Sequence, residues 1–71
     1  MQGLVMRVTV NGTERQLQDG ITLAELVRLE RLTPERVAIE VNEQLVSRRA
    51  YDQTRLREGD RVEIVTFVGG G

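Results

Sequence analysis

From Leu4 to Val10 apolar and polar residues alternate, with Leu4, Met6, Val8 and Val10 on one side, which is the period of a half-buried strand. Asn11-Gly12 follows, the pair best suited to the two positive-φ positions of a two-residue hairpin turn. The return strand, Thr13 to Gln18, carries Glu14, Arg15 and Gln16 with Leu17 as its one apolar anchor, a composition that keeps an edge strand from pairing with other chains. Asp19-Gly20 ends it. The period then changes: Thr22-Leu23-Ala24-Glu25 is a capping box, flanked by Ile21 and Leu26 in the positions of a hydrophobic staple, so a helix starts at Leu23. Its apolar stripe is Leu23, Leu26, Val27 and the stem of Glu30, with Glu25 and Arg28 on the solvent side, and the pattern ends near Arg31.

Thr33-Pro34-Glu35-Arg36 leaves room for one helical turn before Val37 to Val41, a nearly continuous apolar run that predicts a strand covered on most of its surface. Asn42-Glu43 turns the chain into the short run Gln44-Leu45-Val46. Ser47 to Leu56 reads as irregular and polar, pinned by Tyr51 and Leu56, and Glu58-Gly59-Asp60 turns into a last strand from Arg61 to Val68. The predicted fold class is α+β: a mixed sheet of four to five strands with one helix packed on one face. A single helix leaves the other face to water or a partner. On the last strand Val62, Ile64, Thr66 and Val68 alternate with Arg61, Glu63, Val65 and Phe67. If the second set faces away from the helix, it grades from charged to apolar toward the terminus.

Seventy-one residues, 39% of them hydrophobic, allow one domain over residues 1–68 and a glycine tail at 69–71. The absence of cysteine and histidine removes disulfides, thiolate metal sites and the usual nucleophiles and general bases. A net charge of −1 supplies no global field toward nucleic acid or anionic membrane. Five arginines against three acids between Arg48 and Arg61, without interleaved aromatics, read as a solvated loop rather than an RNA site. No stretch approaches a membrane span, and no long unprotected apolar edge calls for an oligomer, so the expectation is a cytoplasmic protein that is a monomer when free. All ten basic residues are arginine, so the chain offers no ε-amine for isopeptide linkage.

The C-terminal Gly69-Gly70-Gly71 is the sharpest chemical feature. Three glycines occur at frayed termini, but here they directly follow a strand. Without Cβ atoms such a tail threads a narrow channel and takes backbone angles closed to other residues, reaching about 10 Å past Val68. The carboxylate of Gly71 is then the candidate reactive group, with Val65 and Phe67 either docking the tail or packing in the core.

Hairpin, capped helix, strands and terminal glycines together resemble the ubiquitin-like β-grasp fold, and within it the ThiS family of bacterial sulfur carriers. The resemblance runs from about Leu4 to Gly71. Its most specific parts are Val41 to Arg48, Glu58 to Ile64, and Phe67-Val68-Gly69-Gly70-Gly71. Ser47 stands where that family often has proline, and a third glycine extends the usual pair. The resemblance implies a carrier rather than an enzyme, with no cofactor bound by this chain. An E1-like adenylating enzyme of the ThiF type would use ATP and Mg to join AMP to the Gly71 carboxylate. Sulfur from a cysteine desulfurase or rhodanese-type donor would then yield a thiocarboxylate, delivered to a ThiG-like thiazole synthase. By the same resemblance Gly70 and Gly71 enter the partner's active site, Gly69 is a spacer, and Phe67 and Val68 stand at the entrance beside Val65. Asn42 and Arg48 match family positions for which turn structure is the simpler role. Other readings compatible with these residues are the small subunit of molybdopterin synthase, a sulfur carrier for tRNA thiolation or protein tagging, and a ubiquitin-like interaction module with an inert tail.

Overall fold

The computed structural model describes residues 4–67. They form strand β1 (Val5–Val10), strand β2 (Thr13–Gln18), helix α1 (Leu23–Leu29), strand β3 (Val37–Val41), strand β4 (Gln44–Val46) and strand β5 (Arg61–Thr66), with 3₁₀ turns at Pro34–Arg36 and Arg48–Ala50. The five strands make one mixed sheet in the order β2-β1-β5-β3-β4. Only the β1–β5 pair is parallel. This is the α+β architecture expected from the sequence.

The two hairpins turn where expected. Asn11 and Gly12 take φ of 50° and 82°, and Asn42 and Glu43 take 52° and 70°, the paired left-handed conformations that match the twist of the flanking strands. The Thr22 hydroxyl accepts from the Glu25 N–H at 3.1 Å while the Glu25 carboxylate accepts from the Thr22 N–H at 2.9 Å, completing the capping box. The N–H groups of Leu23 and Ala24 are met by the carbonyls of Thr54 and Tyr51 at 2.9 and 3.1 Å, so the helix start is tied to the following loop. At the other end Leu32 N–H donates to the Val27 carbonyl and Arg31 N–H to the Arg28 carbonyl, both at 2.9 Å. Arg31 sits at φ 60°. This is a Schellman motif with arginine in the place glycine usually takes, and it ends α1 slightly before the apolar pattern does.

The core lies between α1 and one face of the sheet. Leu23, Leu26 and Val27 of the helix pack with Met6, Val8 and Val10 of β1, Leu17 of β2, Val37 and Ile39 of β3, and Val62 and Ile64 of β5, closed by Tyr51 and Leu56. Both loop pins are therefore where the sequence placed them. Three expectations differ in detail. Leu4 is exposed because it precedes the first ladder pair, Val5 with Gln18. β3 is covered on its helix side only, with Glu40 exposed on the other. β5 ends at Thr66, one residue before Phe67, whose N–H donates in register to the Arg36 carbonyl at 2.8 Å. Residue 68 and the glycine tail lie outside the described residues.

β5 is held on both flanks. Against β3 it pairs along five residues, from Val41–Val62 to Val37–Thr66. Against β1 the ladder covers only Thr9–Arg61 and Val10–Val62, and Asn11 continues it with its side chain. Asn11 Oδ1 accepts from Ile64 N–H at 2.7 Å and Nδ2 donates to the Ile64 carbonyl at 3.2 Å. Arg15 of β2 also reaches the helix end, pairing with Glu30 at 2.6 Å and neutralising a carboxylate that would otherwise oppose the helix dipole.

Thr22→Ala removes the cap acceptor and is expected to cost about 1 kcal/mol in urea denaturation. The hydrogen bond from the Thr22 N–H holds the Glu25 carboxyl below its ordinary value of 4.5. Its contribution is therefore complete above that value and is lost as pH falls through the folded-state pKa; Glu25→Gln is expected to flatten this part of the acid limb. Ser47 already sits at φ −65°, ψ 142°, and its N–H makes no backbone bond among the described residues. Ser47→Pro is accordingly expected to raise stability by about 0.4–1 kcal/mol in the same assay.

Candidate functional site

The alternation along β5 decides which side chains accompany the terminus. Val62 and Ile64 enter the core, and Arg61, Glu63 and Val65 point away from the helix. Val65 and Phe67 are 57% and 51% exposed, which settles their choice between core and surface in favour of surface. Val65 is paired with Ala38 on β3, and the outward side of β4 adds Leu45, 72% exposed. The helix-free face thus carries an apolar area at the end of the sheet from which the terminus departs, while its β1 and β2 side is charged: Arg7 lies 3.8 Å from Glu14 and 3.6 Å from Glu58. Exposed apolar side chains grouped beside a functional segment are the usual mark of a docking surface.

The base of the tail is fixed. β5 is the middle strand, its neighbours grip both edges, and Phe67 is still tied through its N–H to Arg36. Val68, Gly69, Gly70 and Gly71 lie outside the described residues, so the structure brings together Val65 and Phe67 of the predicted site. Among the described residues no cluster of carboxylates or other ligands is arranged to hold a metal ion. Burial pushes the Tyr51 phenol above its ordinary range. Among the described residues, no helix is long and apolar enough to cross a membrane.

Asn42 and Arg48 act as turn residues here. Asn42 Oδ1 accepts from Arg61 N–H and Nδ2 donates to Asp60, both at 3.0 Å, which fastens the β3–β4 turn to the start of β5. Arg48 Nε donates to the Pro34 carbonyl at 3.0 Å. Sequence reasoning missed two contributions. The Asn-Gly turn signal hid the second use of Asn11 as a partner for β5, and the arginine-rich loop read as uniformly solvated although its members have different tasks. Arg55 binds the Gly20 carbonyl at 2.8 Å and Arg61 faces Glu43 at 4.0 Å, whereas Arg48 and Arg49 lie beside Phe67 along one groove.

Comparison with known proteins places these features in a family context. Residues 8–71 match the ThiS family. The crystal structure of a thiamine biosynthesis protein (ThiS) from Geobacter metallireducens superposes with a TM-score of 0.79 at 33% identity, covering 93% of this chain and all of that one. A thiazole synthase from Magnetococcus marinus is 39% identical over 66 residues, 93% of this chain and 20% of that protein. The chain spans about a fifth of the length of the thiazole synthases it matches. The uncharacterized protein ycf40 of Porphyra purpurea is 34% identical over 90% of both chains.

Because Val65 and Phe67 are more than half exposed and lie outside the core cluster, Val65→Ser and Phe67→Ser are each expected to change unfolding free energy by no more than about 0.5 kcal/mol. A shift in urea midpoint comparable to that of a core truncation would place either side chain in the core.

Proposed function

The chain belongs to the ThiS family of ubiquitin-like sulfur carriers, and on that premise we propose that it carries sulfur for the synthesis of the thiamine thiazole, using the carboxylate of Gly71. The observation that carries this reading is the placement of β5. The strand that leads to the glycines is the central one, held on both edges, with Val65 and Phe67 exposed beside its end. A rigid base lets a partner that docks on Val65 and Phe67 aim the tail, and glycines at 69, 70 and 71 keep the path narrow.

The chemistry follows from the carboxylate. A carboxylate ion is a poor electrophile, so an E1-like activating enzyme is needed to pass it through an acyl adenylate. A Gly71 oxygen attacks the α-phosphorus of Mg-ATP and pyrophosphate leaves. A persulfide sulfur from a cysteine desulfurase or rhodanese-type donor then attacks the acyl carbon and AMP leaves. A second thiol cleaves the resulting acyl disulfide, taking the donor sulfur into a new disulfide and leaving the thiocarboxylate on Gly71. That anionic sulfur is the nucleophile given up in thiazole synthase; as the C–S bond to Gly71 breaks, an oxygen from the acceptor substrate or water bonds to the acyl carbon and the carboxylate returns. The similarity of a fifth of two thiazole synthases to this chain supports that enzyme as the acceptor. In this cycle the chain is a co-substrate, and ATP and Mg belong to the activating enzyme.

Incubation with Mg-ATP, a carrier-activating enzyme and a sulfur donor is expected to produce a sulfur-for-oxygen mass gain in intact-protein mass spectrometry. The product should react with a thiol alkylating agent. Having no cysteine, the chain can be alkylated in this way only at the thiocarboxylate. A chain lacking Gly70 and Gly71 is expected to show no gain, and its modification would overturn the assignment. Gly70→Ala should retain the urea midpoint while adenylate formation, followed by pyrophosphate release, drops at least tenfold; equal adenylation would count against a threaded tail.

A further inference from the structure

β4 pairs with β3 only at Ile39, Glu40 and Val41. After Val46 the chain turns away into the Arg48–Ala50 turn, so the Val37–Ala38 end of β3 has β5 on one side and no strand on the other. A groove of about 570 Å³ opens along this uncovered edge. Its apolar side is made by Ala38, Leu45 and Phe67, of which Leu45 and Phe67 are exposed. Its other side is made by Arg48, Arg49 and Tyr51.

The two arginines of this groove are not ion-paired among the described residues. Four ion pairs link other arginines to carboxylates, but among the described residues neither Arg48 nor Arg49 meets one within salt-bridge distance. No acidic residue lines the groove, in a chain whose net charge is −1. The Nε of Arg48 is anchored on the Pro34 carbonyl, which holds the side chain in place and leaves its terminal N–H groups to other acceptors. Tyr51 is 4% exposed.

On this edge the Val37 N–H is already donated to the Pro34 carbonyl and the Ala38 backbone faces β5, which leaves the Val37 carbonyl to accept from an extended segment; an apolar wall selects apolar side chains, and guanidinium groups select carboxylates. We propose that this groove docks an extended, acidic segment of a partner protein. The segment would lie along the Val37–Ala38 edge with an apolar side chain against Leu45 and Phe67 and a neighbouring Asp or Glu on Arg48 and Arg49. The surface is distinct from the terminal carboxylate, and its occupancy requires neither activation of Gly71 nor sulfur.

The test is a ¹⁵N–¹H shift titration of the full chain with a capped five-residue peptide alternating glutamate and valine. A peptide alternating lysine and valine and an oligouridylate serve as competitors of other chemistry. Saturable shifts are expected at the amides of Val37, Ala38, Arg49 and Tyr51 with the acidic peptide, with none from the basic one. Arg49→Glu, which keeps the anchor of Arg48 on Pro34, is expected to weaken binding at least tenfold, and Leu45→Ser at least threefold. If Arg49→Glu perturbs the native spectrum, Arg49→Gln replaces it, with an expected loss of at least threefold. A chain lacking Gly70 and Gly71 should titrate like the full chain, which separates this surface from the tail chemistry. The proposal is overturned by an absence of saturable groove shifts, by equal response to the basic peptide, by unchanged affinity in the Arg49 variant, or by tighter binding of oligouridylate to the same amides.

Discussion

The grip on β5 is the constraint on which the rest of the molecule depends. Beyond the two ladder pairs with β1, the Asn11 N–H donates to the Val62 carbonyl at 2.8 Å, and the Asn11 carboxamide supplies the next acceptor and donor to Ile64. It does so because the left-handed turn at Asn11 and Gly12 brings β1 to an end beside β5. With that edge closed and β3 on the other, Val62 and Ile64 are fixed in the core, and alternation alone then exposes Val65. Core packing and the surface beside the terminus are thus two faces of one register.

Much of this was legible in the residues. The strand and helix periods, the Asn-Gly turn and the Thr22–Glu25 box are local signals, and each formed where it was read because core burial and local preference agree. The less legible parts depend on residues distant in sequence. The exposure of Leu4 and the one-sided cover of β3 follow from how far each neighbour extends, which no window of a few residues contains. The early end of α1 is a cooperative matter: the Val27 and Arg28 carbonyls are taken by Leu32 and Arg31, and arginine accepts a left-handed conformation that sequence statistics assign to glycine.

The candidate site shows the same division. The glycines and the alternation of Val65 and Phe67 stand out in the linear sequence, but which set faces outward depends on where β5 inserts. The arginines between Arg48 and Arg61 are indistinguishable as letters. Their sorting into Arg55 on a carbonyl, Arg61 near a carboxylate, and Arg48 and Arg49 along a groove beside Phe67 arises from the way β4 leaves the sheet. Ser47, at a backbone angle that proline would also adopt, keeps that departure without the ring.

The strand order β2-β1-β5-β3-β4 carries one more consequence. In the sheet the two hairpins, β1–β2 and β3–β4, meet only through β5, which follows both in sequence. Without it the sheet is two separate halves, so its closure joins residues far apart in sequence, the kind of contact that slows folding. A chain interrupted before β5 therefore has no assembled sheet on which to present anything. Val65 and Phe67 therefore take their places on the surface only once both halves of the sheet have closed on β5.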